Sequence, residues 1–168
     1  MIDPDTLLNQ SKALVSSGAG RPIENDLRRA VSSAYYAVFH ETTLCCARHI
    51  LGACELRTSP CHQLRRKYPH GTISEVCVEI TTGQQDRVPV EFRPLLCSSS
   101  DVMDYSDGFP DLMKARHNAD YDHAFSFKKE AVQLQIAHAE NLLGILRRIS
   151  GTQAGKCLFY AISIACIR

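Results

Sequence analysis

Apolar residues recur at spacings of three and four along most of this chain, the period of helices that each bury one face. Asp3 and Pro4 read as the cap and first turn of a helix continued by Leu7, Leu8, Leu14 and Val15. The run Ser16-Ser17-Gly18-Ala19-Gly20 breaks it. A second, long helix is predicted from near Pro22 to about Leu51. It is carried by Leu27, Ala30, Val31, Ala34, Tyr35, Val38, Leu44 and Cys45, with Gly52 as its stop.

Residues 57–70 read as a loop broken by Pro60 and Pro69. Ile73, Val76, Cys77 and Ile80 predict a short helix over 72–81. Residues 82–100, with Gly83, Pro89, Pro94 and three serines, read as a long central loop or a poorly regular connection whose Val88, Val90, Phe92 and Leu95 lie against the core. Helical spacing returns from Asp101 through His117, with Gly108 and Pro110 as points of interruption. Ser126 then reads as the cap of a last long helix directing Ala131, Leu134, Ile136, Ala137, Leu142, Leu143, Ile145, Leu146 and Ile149 inward. Gly151 and Gly155 detach an apolar tail, 157–168, that can pack on the core, form an edge strand or enter a second subunit.

Composition fits one all-α domain over 1–150 plus that tail, 151–168: the 168 residues are 45% hydrophobic and 22% charged, suited to a soluble protein with a sizeable core. A formal net charge of +1 argues against coating nucleic acid by bulk electrostatics, yet permits a local basic cleft. The run His62-Gln63-Leu64-Arg65-Arg66-Lys67-Tyr68-Pro69-His70 is the candidate for one, the alternative being a solvated loop. No basic stretch leads into an apolar run at the N-terminus, and no stretch reaches the ~20 apolar residues of a membrane span. A cytoplasmic protein with no membrane association is therefore expected. The eight cysteines include no C-x-x-C pair, so they are expected to be reduced and structural; a zinc site from Cys45, Cys46, His49, Cys61 and His62 lacks the paired spacing such sites use.

The candidate chemistry lies in Arg116-His117-Asn118-Ala119-Asp120-Tyr121-Asp122-His123. Arginine is a permanent forked donor suited to phosphate oxygens, and histidine exchanges protons near neutral pH. In a continuous helix Arg116, Asp120 and His123 would form a stripe at i, i+4 and i+7. Such a stripe can converge on one anion; it can equally be an Arg116–Asp120 ion pair with a histidine nearby.

Two segments together resemble the HEPN family of small helical proteins found in prokaryotic toxin–antitoxin and defence systems. Residues 27–40, LRRAVSSAYYAVFH, look like its arginine-rich start and A-Y-Y-A-x-F-H core, and residues 115–122, ARHNADYD, like its A-R-x-x-A-D-Y-D segment. Tyr68-Pro69-His70-Gly71 is similar to a histidine–glycine element between them. The resemblance implies an antiparallel bundle of four to five helices that dimerises. It also implies a metal-independent endoribonuclease with an R-x4–6-H motif, here Arg116 and His123 at the longest spacing. His123 would act as general acid or base, and Arg116 would hold the scissile phosphate during attack by the ribose 2′-hydroxyl. His117, Asn118, Asp120, Tyr121, His40 and His70 would support the site or bind substrate. RNA is the implied partner, and no metal or cofactor is called for. The alternative is a non-catalytic module binding an antitoxin, a nucleotidyltransferase-like protein or a nucleotide.

Overall fold

The computed structural model describes residues 3–16, 23–52, 59–84 and 86–167. Asp3 caps the first helix as its position predicts, its Oδ2 accepting from Thr6 N at 2.9 Å and Thr6 Oγ1 at 2.7 Å. The helix, α1, runs Pro4–Ser16 and buries Leu8, Ser11 and Val15. Ser11 Oγ donates to the Ala30 carbonyl at 2.7 Å, fastening α1 to α2, Glu24–Leu51. The predicted break at Ser17–Gly20, Pro22 and Cys54 lie outside the described residues.

Helix α2 is the axis of the molecule. From Ala34 to Ala47 nearly every residue is buried, because α2 is surrounded by α1 and by α3 (Ser59–Arg65), α6 (Ser100–Tyr121), α7 (Lys129–Ile149) and α8 (Gln153–Ile167). The expected one-sided amphipathic helix thus holds only for its first turns; further on, apolar and small polar residues face neighbours all round. Between α3 and α6 lie α4 (His70–Thr82), a 3-10 turn at Val90–Phe92 and α5 (Arg93–Cys97). The described residues contain eight α-helices, where four to five were expected, and no strand.

The expected loop 57–70 contains α3, with Pro60 in its first turn, where a missing N–H costs nothing, and Pro69 leading into α4. The connection 86–88 is folded onto α4 by Glu79. This carboxylate, only 4% exposed, accepts from the backbone N–H of Arg87 and Val88 at 2.8 and 3.1 Å and from Arg87 Nη1 at 3.1 Å. Burial pushes its pKa up, but those donors more than offset burial and leave it below the ordinary value. Val88 and Leu96 join the core, and Val90 faces solvent.

Gly108 and Pro110 do not interrupt α6. A mid-helix proline costs about 3 kcal/mol, which full burial of Val102, Tyr105, Phe109 and Leu112 on the same helix offsets. Helix α7 buries the expected Ile136, Leu142, Leu143, Ile145, Leu146 and Ile149 together with Val132 and Ala139, whereas Ala131, Ala137 and Leu134 (71% exposed), expected inward, face out. Ser126 is not its cap: the helix starts after Lys128, and the Ser126 hydroxyl instead donates to Glu24 Oε2 at 3.4 Å.

The apolar tail is α8. It buries Cys157, Leu158, Phe159, Ala161 and Ile162 in the same cluster as the other helices and is no edge strand. Gly151 lies in the turn before it, but Gly155 lies inside it, where a Cβ would stand 1.9 Å from the Ile149 carbonyl oxygen. Only glycine allows α8 to turn back so tightly on the end of α7. Cys61 is disulfide-bonded, against the expectation of reduced thiols throughout. Cys45, Cys46, Cys77, Cys97, Cys157 and Cys166 are free, and burial raises Cys45 and Cys166 to about 12, leaving inert thiols. No described helix is long and apolar enough to cross a membrane.

Candidate functional site

Arg116 lies near the end of α6, its side chain 15% exposed between two phenol rings. Its Cζ stands 5.4 Å from the Tyr36 ring centre and 5.1 Å from that of Tyr121, within cation–π range. Nη2 donates to the Tyr36 hydroxyl at 2.8 Å and to the Tyr121 hydroxyl at 3.4 Å. Asp120 Oδ2 approaches Arg116 Nε to 2.5 Å as an ion pair, yet this buried Nε–H makes no aligned hydrogen bond. Burial lowers the Arg116 pKa; Tyr36 and Asp120 outweigh it, and the net displacement is upward. The ion-pair reading of the Arg116–Asp120 spacing is the observed one, with Ser32 Oγ as a second donor to Asp120.

The predicted stripe ends one turn early. Asp122, at φ −95° and ψ 95°, terminates α6, so His123 lies beyond the helix and not two turns along the Arg116 face. The reason is on α2. Arg28 Nη1 donates to the carbonyls of Asn118, Ala119 and Asp122 at 3.2, 3.0 and 3.0 Å, and Nη2 donates to that of Phe125. These bonds satisfy carbonyls that a helix end leaves bare. Glu24, paired with Arg28 at 3.2 Å, accepts from Phe127 N at 3.1 Å. Asp122 Oδ1 accepts from Ala124 N and Phe125 N, closing a local turn. His123 sits exposed in that turn, with no hydrogen bond, ion pair or ring contact among the described residues.

Beside Arg116 a cleft of about 960 Å³ opens between α2 and the end of α6, walled by Arg29, Ser32, Tyr36, His40, Asp120 and Tyr121. Tyr121 is 59% exposed. Arg29 is exposed and makes no ion pair or hydrogen bond among the described residues, whereas Arg28 is spent on the α6 terminus. His40 stacks on Tyr36 with ring centres 6.0 Å apart; burial, then the Arg65 and His70 charges, depress its pKa to about 4. His70 lies behind this wall. Its Nδ1 is 2.6 Å from the Tyr35 hydroxyl, its ring stacks 3.9 Å from Phe39, and burial followed by Arg116 lowers its pKa.

The structure thus gathers Asp120, Tyr121 and His40 around one cleft, with Arg116 packed against its Tyr36 and Tyr121 walls and His70 in the aromatic layer beneath. It leaves out three residues of the segment. His117 is exposed and contacts the Tyr121 ring at 5.1 Å; Asn118 belongs to a separate groove with Lys114, Phe127 and His138; His123 lines neither. Within the basic run 62–70, Arg65 is bound to the His40 carbonyl and Thr43, and Tyr68 is buried with its hydroxyl on Ser163. Sequence alone does not mark Tyr36 and Ser32 as cleft residues, although Ser32, Tyr36 and His40 stand four apart on one face of α2, with Arg29 three residues before. Among the described residues no group of three histidine, cysteine or acidic side chains is placed to hold a metal ion. No protein-family model, no curated protein and no solved structure matches the chain.

Proposed function

We propose that this chain is a HEPN-like helical module whose Arg29–Tyr36–Tyr121 cleft binds a ribonucleotide without cleaving it. The observation that carries this reading is the cleft itself: an unpartnered guanidinium at Arg29, an exposed phenol face at Tyr121, and hydroxyl and imidazole groups at Ser32 and His40 on one wall. Arg29 meets the phosphate, Tyr121 offers its face to the base, and Ser32 and His40 offer hydrogen bonds to the sugar. Proton transfer is poorly served there. An imidazole of pKa about 4 is charged in only about one molecule per thousand at pH 7, so His40 supplies little acid and is a weak base. His70 is occupied by Tyr35, and Arg116 is committed to Asp120 and two phenols.

A second reading, a metal-independent endoribonuclease of toxin or defence type, is favoured by one observation: His123 is exposed and unpartnered on a turn held fast by Arg28 and Glu24. In a homodimer such a residue can meet the cleft of the other copy and serve as the acid or base, with an antitoxin or nucleotidyltransferase-like protein as regulating partner. One experiment separates the readings. Purified protein is titrated with adenosine 5′-monophosphate by calorimetry and incubated with single-stranded RNA in excess chelator. Saturable binding weakened about tenfold by Arg29→Gln, with intact RNA, is expected. RNA cleaved to 2′,3′-cyclic phosphate ends, and abolished by His123→Ala, establishes the nuclease instead; neither binding nor cleavage refutes both.

A further inference from the structure

A second cavity lies at the opposite end of α2, where its last turn meets the end of α7 and the start of α8. It measures about 460 Å³, and its wall includes Glu41, Arg48, His49, Arg147, Lys156 and Phe159. Three of these are permanent cations. The ends of α2 and α7 carry partial negative charge, which accounts for Arg48 and Arg147 being there. It does not account for Lys156 in the first turn of α8, where the partial charge is positive and a lysine is disfavoured.

The charges do not cancel within the fold. Asp5 accepts from Arg147 Nη2 at 2.9 Å through both oxygens, which satisfies that arginine. The Glu41 carboxylate, on the cavity wall, makes no hydrogen bond among the described residues; burial raises its pKa against the pull of Arg147 and Arg48. Arg48 and Lys156 are both exposed, and neither has a carboxylate within ion-pair distance among the described residues. Burial and then Lys156 depress His49, which keeps its imidazole a neutral hydrogen-bonding group.

We propose that this cavity is a binding site for a phosphate monoester, whose near-double negative charge matches Arg48 and Lys156. Arg48 offers a planar fork to two phosphate oxygens, Lys156 a point charge to a third, and His49 a neutral donor. The rest of the cavity, bounded by Cys45, Ser150 and Phe159, leaves room for the uncharged body of the ester. The volume exceeds what a bare phosphate fills and lies within the range of small-molecule sites. This site is separate from the Arg29 cleft and independent of the function proposed for it.

Calorimetric titration of the full chain with inorganic phosphate and with ribose 5-phosphate tests the proposal. Saturable binding that weakens with added sodium chloride is expected, tighter for the ester. Lys156→Gln and Arg48→Gln, both at exposed positions, should each weaken it about tenfold, with helical content by circular dichroism unchanged. Arg29→Gln should leave it unaltered, and Glu41→Gln should tighten it. Absence of saturable binding to either probe, or equal affinity in Lys156→Gln and the parent, overturns the site.

Discussion

The four histidines of the candidate site stand in two settings. His40 and His70 stand within the aromatic layer of Tyr35, Tyr36 and Phe39, where burial holds both imidazoles neutral. His117 and His123 stand outside it, exposed, on the last turn of α6 and the turn that follows. The inner pair is stacked and half-buried among aromatic rings; the outer pair is exposed, with His117 beside the Tyr121 ring and His123 without a partner among the described residues. A guanidinium beside a histidine in sequence therefore says little about chemistry until the dielectric around each ring is known.

The sharpest way to break this contrast is to release the outer turn. Arg28→Ala removes the guanidinium's bonds to the carbonyls of Asn118, Ala119, Asp122 and Phe125 and leaves Glu24 without its ion-pair partner. A loss of about 2–4 kcal/mol in unfolding free energy by urea denaturation is expected, with hydrogen exchange accelerated over 119–127. A loss within about 0.5 kcal/mol would show that the turn holds itself. A smaller effect separates the inner pair by pH. His40 titrates near 6.5 when unfolded and about 4 when folded, so its folded pKa is depressed. Its contribution is fully present above pH 6.5, is lost as pH falls toward 4, and is flat below that. His40→Gln should flatten the slope of stability against pH in that window, and nuclear magnetic resonance of the ring should show no protonation above pH 5. The smallest effect belongs to the outer pair: His123→Ala should shift stability by no more than about 0.5 kcal/mol, read from the urea midpoint. A larger loss would mean that His123 is held after all.

Much of the helical framework was legible because core burial repeats at the helical period: α1, α2, α4, α6 and α7 follow the spacing of residues such as Leu27, Val31, Ala34 and Val38 or Ile73, Val76 and Ile80. What was not legible depended on distant partners. Helix α6 ends at Tyr121 because Arg28, some ninety residues earlier, takes its last carbonyls, and that one event removes His123 from the Arg116 face. Ser126 has the chemistry of a cap, but Glu24 claims it first. The short α3 carries too few apolar residues to show a period, and Gly155, which by its type signals a break before the tail, is in fact a contact surface. For the site, Arg116, Asp120, Tyr121 and His40 were legible as residue types, while the role of Arg29 depended on which of two adjacent arginines faced the cleft.

The missing methyl group at position 155 has a mechanical consequence. With its backbone flush against the Ile149 carbonyl, α8 is keyed to the end of α7, and the two helices form a tight elbow. The elbow carries Arg147 on one arm and Lys156 on the other, so the spacing of those charges is set by a hydrogen atom where any other amino acid would drive a wedge.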